Sequence, residues 1–256
     1  MENVMRWEEL SDGVIQKGVK LNPGEAAKPA AARGIVLIAN GERDRLRVDF
    51  LLRSLQKAGY TGSIVTIADE GKAGFESRWY KTQLDRFSPF EETLFLDADI
   101  VAMQSFNEIW DYLSRGELWM ARDMHTQLGH ALGDKTSRAN SDERAETRAL
   151  CDSAQPFFNS GVILFHKTEA VRTFFDQWHT EWARFRNVDQ FAAARSMKTT
   201  GFAPSELPRR YNHPLRRYRQ APSPDVTFLH CWGYPRKRYP FLVTPLLECP
   251  APAVAP

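Results

Sequence analysis

Gly34-Ile35-Val36-Leu37-Ile38-Ala39-Asn40 is an unbroken apolar run closed by a polar residue, too short for a typical helix and patterned like a strand buried on both faces. Downstream, Arg43 to Gly59 carries Phe50, Leu51, Leu52 and Leu55 at helical spacing, and Gly59 supplies a stop. Ser63 to Ala68 reads as a second strand. A strand, a helix and a strand in that order predict parallel pairing through a right-handed crossover, and with it an α/β fold. Neither strand runs into a Gly-x-Gly-x-x-Gly or Walker sequence, and Asn40-Gly41-Glu42-Arg43 is a poor phosphate cradle. That argues against dinucleotide oxidoreductases and P-loop enzymes, and any phosphate bound here needs a cation instead.

The next apolar run, Thr93-Leu94-Phe95-Leu96, leads into Asp97-Ala98-Asp99-Ile100-Val101. Side chains two apart on an extended strand point the same way, so Asp97 and Asp99 can share a divalent cation; a strand-ending turn is the plainer reading. Beyond them the sequence predicts a helix at Ser105 to Leu113, a short strand at Leu118 to Ala121, a strand at Phe157 to His166, and helices at Glu169 to Arg184 and Val188 to Ser196. Trp178 and Trp182, four apart, read as core residues. Between Asp123 and Gln155 the chain is polar and rich in Ala, Ser and Arg, as expected of a lid, an acceptor-side excursion or a surface helix. His125 and His130 in it read as surface residues. The expected organisation is a lead over 1–33, polar and Pro- and Ala-containing from Asn22, one domain over 34–239 with 123–155 as an insertion, and a tail over 240–256 holding five prolines.

The 256 residues are 43% hydrophobic and 12% aromatic, enough for one substantial core. No segment approaches the roughly 18 to 20 apolar residues of a membrane span, and Met1 to Leu10 carries Glu2, Glu8 and Glu9 where a signal peptide is basic, then apolar. Cys151, Cys231 and Cys249 form no Cys-x-x-Cys pair, so a disulfide framework or zinc knuckle is not supported and a reducing cytoplasm is expected. Leu207 to Arg238 holds eight basic residues against one acid, +7 in a chain whose total is +2. This Arg209 to Lys237 cluster reads as the seat of an anionic partner or as a solvated basic face; nucleic acid is not expected.

With Lys81 sixteen residues before Asp97, the chain presents in order Asp97-Ala98-Asp99, Phe158-Asn159-Ser160-Gly161-Val162, Asp189-Gln190 thirty residues after Asn159, Leu207-Pro208-Arg209-Arg210-Tyr211-Asn212, and Phe228-Leu229-His230-Cys231-Trp232-Gly233 followed by Arg236 and Lys237. This set resembles the retaining GT-A glycosyltransferases of family eight, the glycogenin and lipopolysaccharide galactosyltransferase group, over Gly34 to Lys237. The resemblance implies a Rossmann-like GT-A fold with a mostly parallel central sheet flanked by helices, and transfer of a hexose, glucose or galactose, from a UDP-sugar to a glycan, protein or small-molecule acceptor with retention. It implies Mn2+, or Mg2+, on Asp97, Asp99 and His230, a donor set suited to that cation. Lys81 would sit over the donor, Asn159, Ser160 and Gly161 along the sugar and acceptor side, and Asp123, with Asp152 as its competitor, on sugar hydroxyls. Gly233 would admit the diphosphate, with Arg236 or Lys237 neutralising it. Asn40 and Asp69, at the ends of the first two strands, are nucleotide candidates on topological grounds. Asp189 and Gln190 are candidates for the far face of the sugar, as nucleophile or electrostatic stabiliser, while Asp189 read alone is a helix N-cap.

Two other readings compete. Asp97-x-Asp99-x-Val101 after an apolar strand also fits the nucleophile motif of haloacid-dehalogenase-type phosphatases, although no Asp-Asp or Gly-Asp-x-x-x-Asp follows; Gly133-Asp134 has Arg138 where the second acid belongs. A non-enzymatic anion-binding module would instead use the basic cluster.

Overall fold

Two strands, β1 (Val4–Glu9) and β2 (Ile15–Leu21), lie ahead of the buried run that the sequence picks out, which forms β3 (Arg33–Asn40). The computed structural model describes residues 4–9, 15–21, 32–69, 77–134, 139–215 and 223–232, with backbone alone at 4–9, 15–21, 42–43 and 68–69. After β3 come α1 (Gly41–Lys57), β4 (Ser63–Asp69), α2 (Ser77–Lys81), α3 (Leu84–Phe87), β5 (Glu92–Leu96) and β6 (Ile100–Ala102). A 3-10 segment, Asn107–Ser114, then leads to β7 (Leu118–Gln127), α4 (Leu128–Gly133), α5 (Ser141–Leu150) and β8 (Pro156–His166). The remainder is α6 (Glu169–Phe185), α7 (Asp189–Thr200), β9 (Ser205–Leu207), β10 (His213–Pro214) and β11 (Phe228–His230).

The architecture is α/β. Eight strands form one sheet in the order β2-β1-β4-β3-β5-β8-β7-β9. β3, β4, β5, β7 and β9 run the same way, and β8 is inserted antiparallel between β5 and β7. The expected parallel pairing of the first two buried strands is found from Gly34↔Ser63 to Asn40↔Asp69. α1 ends where expected, because Gly59 takes a φ of +82° that other residues resist.

The apolar runs are unbroken because each strand feeds two cores. Alternate side chains of a strand point to opposite faces. Ile35, Leu37 and Ala39 therefore pack against Val48, Leu51 and Leu55 of α1, whereas Val36 and Ile38 join Phe174, Phe175, Trp178 and Trp182 of α6 and Phe191 of α7. β5 splits likewise, with Leu94 and Leu96 on the α1 side and Phe95 on the other. A sheet covered on both faces has no polar side, hence the absence of alternation. A smaller sheet, β10-β11-β6, lies beside the main one and packs Val101 and Leu229 against Phe50 of α1.

Three local expectations change. The helix expected over Ser105 to Leu113 is the 3-10 segment. The strand expected over Leu118 to Ala121 continues to Gln127, its polar half hidden by the change from apolar to charged residues at Arg122. The supposed excursion from Asp123 thus begins inside a sheet strand and goes on to form α4 and α5. No described helix is long and apolar enough to cross a membrane.

Arg195 of α7 is completely buried and joins three helices: Nε donates to Glu181 Oε2 (2.8 Å), one terminal nitrogen to Thr147 Oγ1 (2.6 Å), and the other to the Glu181 carbonyl (3.1 Å), 3.6 Å from Glu143 Oε1. Removing one partner of such a cluster strands the others without counter-charge. Arg195→Ala is expected to cost about 3–5 kcal/mol in urea denaturation, and a loss below 1 kcal/mol would show that the acids are solvated on truncation. Asp85 of α3 gives a pH-dependent case. Burial, then the nearby Asp176, pushes its carboxyl from 3.8 up to about 6, and its Oδ1 has no hydrogen-bond partner. The folded chain keeps this proton to higher pH than the unfolded chain, so stability from this group falls as pH rises from about 4 to about 6. Asp85→Asn is accordingly expected to stabilise by about 1–3 kcal/mol at pH 8 and by little at pH 4, measured by urea melts at both pH values.

Candidate functional site

Strand direction brings distant parts of the sequence to one edge. β3, β4 and β5 all end there, at Asn40, Asp69 and Leu96. β8 runs the other way, so its beginning meets the end of β5: Leu96 pairs with Val162, and Asp97 N–H donates to the Gly161 carbonyl (2.8 Å). β11 is antiparallel to β6, so His230 lies opposite Ile100 and Cys231 N–H donates to the Asp99 carbonyl (2.8 Å). Asp97 and Asp99 do not lie on an extended strand. They sit on the tight turn between β5 and β6, closed by Ile100 N–H to the Asp97 carbonyl (3.0 Å), and the turn makes their side chains converge.

A cleft of about 500 Å3 opens over this edge. At its centre the candidate ligand atoms of Asp97, Asp99 and His230 lie within 4.8 Å of one another, with His230 Nε2 3.2 Å from Asp99 Oδ1. Two carboxylates and an imidazole within that span fit one divalent cation of the Mn2+ or Mg2+ kind. Beside them Lys81, its side chain only 8% exposed, places Nζ 2.6 Å from Asp97 Oδ1 and 3.6 Å from Asp189 Oδ2. Burial pulls the ammonium's pKa down, but the two carboxylates outweigh it and hold Lys81 above the usual lysine range. Asp189 also accepts from Arg78 Nε (3.2 Å) and Ser160 Oγ (2.6 Å). Burial alone would raise its pKa; Lys81 and Arg78 prevail and keep it below the usual carboxylate range. Trp178 Nε1 donates to the Asp189 carbonyl (2.8 Å), gripping the first turn of α7 from behind. Gln190 spends its amide nitrogen on Asp123 Oδ2 (3.1 Å) and the Phe158 carbonyl (2.9 Å), so its carbonyl oxygen is the end left for the cleft it lines.

No family model matches the chain, and no curated protein matches its sequence. Solved structures match it by shape. The galactosyltransferase LgtC, in complex with donor and acceptor sugar analogs, is similar at a TM-score of 0.56 and 16% identity, over 84% of this chain and 97% of that one. The chain has the GT-A glycosyltransferase fold. A second similar structure is WbbM, a bifunctional glycosyltransferase in its apo form, at a TM-score of 0.52 and 14% identity; the match covers 76% of this chain and only 41% of WbbM.

Within this GT-A frame Lys81, Asp97, Ala98, Asp99, Asn159, Ser160, Asp189, Gln190 and His230 all line the cleft. Asp123 is buried just behind it, accepting from Asn159 Nδ2 (2.9 Å) and Gln190; its competitor Asp152 is exposed and caps a local turn through Ala154 N–H (2.8 Å). Asn40 is half-buried at the end of β3 and is not among the described residues of the cleft wall; Asp69 is its strand partner, with a side chain outside the description. Gly233, Arg236 and Lys237 lie outside the described residues. Asp189 is not the N-cap of α7; that position is Val188, and the carboxylate turns into the cleft. Sequence reasoning passed over Arg78, Asp44 and Arg47, which also line the cleft, and gave no role to Trp232, which lines it too, or to Asn212. Arg78 was detectable, three residues before Lys81 and so on the same face of a helix. Gly161 lies under the imidazole: a Cβ there would be 2.5 Å from His230 Cε1. Gly161→Ala should displace the ring and weaken Mn2+ binding about tenfold or more, read by isothermal titration against the unaltered protein; equal affinities would mean the ring moves aside at no cost.

Proposed function

We propose that the chain is a retaining, metal-dependent glycosyltransferase that moves a hexose, glucose or galactose, from a UDP-sugar to an acceptor. The observation that carries this is the Asp97, Asp99 and His230 triad at the strand-end edge of a GT-A fold, in one cleft with Lys81, Arg78 and Asp189. The likeness to LgtC, whose structure holds donor and acceptor sugar analogs, supports it. A cytoplasmic setting belongs to the same proposal, supported by Cys151 and Cys231 being buried free thiols.

The chemistry divides between two sides of the cleft. Asp97, Asp99 and His230 would hold a divalent cation here, and that cation would supply positive charge for the departing diphosphate. Opposite, the sugar develops oxocarbenium-like positive charge, and retention needs either a nucleophile on its far face or attack from the leaving-group side. Asp189 is poorly disposed as a nucleophile, since both its oxygens are engaged by Arg78, Ser160 and Lys81. We assign it the holding of Lys81 and Arg78 in place, and assign to the Gln190 carbonyl oxygen the electrostatic stabilisation of the reacting carbon, with Asp123 orienting that amide. The acceptor then attacks from the side the diphosphate leaves, which takes its proton. Asn159 and Ser160 form the wall along the sugar.

The phosphatase reading is not favoured, because the fold is GT-A. Of the basic cluster, Arg209 is exposed and Arg210 pairs with Glu108 (3.3 Å) and Tyr211 (2.9 Å). Arg216, Arg217, Arg219, Arg236, Lys237 and Arg238 lie outside the described residues, and a role for the cluster in holding an anionic partner stays a proposal.

Isothermal titration with UDP tests the reading. UDP should bind in Mn2+, and at least tenfold more weakly without it or in Asp97→Ala and Asp99→Ala; no binding in Mn2+, or equal binding by the variants, sinks it. In a turnover assay Gln190→Ala should lower kcat about 10²–10³-fold with the donor Kd nearly unchanged, and NMR of the product should show the anomeric configuration kept.

A further inference from the structure

Behind the cleft a file of buried side chains runs from the imidazole of His230 to the carboxylate of Asp123. His230 Nδ1 is 3.0 Å from Asn212 Oδ1, Asn212 Nδ2 donates to Asn159 Oδ1 (2.8 Å), and Asn159 Nδ2 donates to Asp123 Oδ2 (2.9 Å). Asn212, Asn159, Asp123 and His230 are each under 10% exposed, so water does not compete for these bonds. An amide can be written either way round, but here only one direction is consistent. A carboxylate accepts, so Asn159 must turn its nitrogen to Asp123 and its oxygen the other way. A second bond fixes the same choice independently: Gly161 N–H, an obligate donor, points at Asn159 Oδ1 (2.9 Å). Asn212 must then give its nitrogen to Asn159 and its oxygen to His230. That oxygen can only accept, which places a ring proton on Nδ1 and makes Nε2, 3.2 Å from Asp99 Oδ1, the nitrogen that a cation shared with Asp99 would take.

We infer that Asn212 is a positioning residue that holds His230 as the Nδ1–H tautomer, keeping Nε2 bare for the cation, and that the tautomer is dictated by Asp123 at the far end of the file. The inference rests on the metal reading above for its purpose, but not for its test. Long-range 1H–15N NMR of metal-free protein at alkaline pH distinguishes the two tautomers directly, with His230 identified among the six histidines by loss of its signals in His230→Gln. The expected result is Nδ1–H. Asn212→Leu, which keeps the branched outline and removes both bonds, should convert His230 to a mixture of tautomers and weaken Mn2+ binding about 10–100-fold. Asn212→Asp retains an acceptor for Nδ1–H, so the tautomer should persist and the Mn2+ Kd rise by no more than about threefold. An Nε2–H ring in the unaltered protein overturns the inference, as does an Asn212→Leu variant with unchanged tautomer and Mn2+ affinity, or an Asn212→Asp variant that behaves like Asn212→Leu. Should Asn212→Leu not fold, the unaltered protein and Asn212→Asp still decide. If no Mn2+ binds at all, the functional reading fails while the tautomer measurement stands on its own.

Discussion

One buried ammonium keeps the two halves of the cleft at their working distance. Asp97 comes from the turn after β5 and Asp189 from the first turn of α7; left alone in a cleft lined by protein, the two carboxylates would repel and draw apart. Lys81 contacts both, and Arg78, one helical turn away, adds its charge to Asp189. The five residues of α2 therefore set the separation between the side of the cleft that carries Asp97, Asp99 and His230 and the side that carries Asp189. Buried ions are expensive to desolvate, so this arrangement contributes little to net stability and much to a fixed geometry.

The rest of the molecule supplies what that triangle needs. Sheet direction delivers Asp97, Asn159 and His230 to one edge, and α7 arrives with its start at the same place because Trp178 fixes the Asp189 carbonyl and Glu143 accepts from Val188 N–H (3.3 Å). Glu143 is held in turn by Arg195, which is how an ion cluster inside the helical layer comes to bear on the cleft.

How much of this could be read from the sequence depends on whether the signal was local. β3, α1 and β4 were legible because unbroken apolar runs and a stop glycine carry their own evidence, and the grouping of Asp97, Asp99 and His230 because these residue types stand in motifs. The antiparallel insertion of β8 was not legible: Phe157 to His166 reads as a strand whichever way it runs, and direction is decided by partners far away in the chain. β7 was cut short for a related reason, since Asp123 is polar yet buried, satisfied by Asn159 and Gln190 from other elements. Asn212 could be quoted in a motif without acquiring a role because its significance lies in two hydrogen bonds, to residues 53 and 18 positions away. Gly161 is similar: a glycine two residues after an asparagine says nothing of the imidazole that will lie against it.

The turn bearing Asp97 and Asp99 is stitched at both ends by main-chain hydrogen bonds, to Gly161 on one side and Cys231 on the other, and closed by a third within itself. None of these bonds involves a side chain. The course of the turn is thus set by main chain, separately from what it displays: an exchange at 97 or 99 leaves these three bonds in place, and its cost falls on Lys81 and His230, which lose a charged partner. A protein of this shape that had lost its carboxylates would keep its outline, so resemblance of form alone is a poor guide to whether such a turn is still in use.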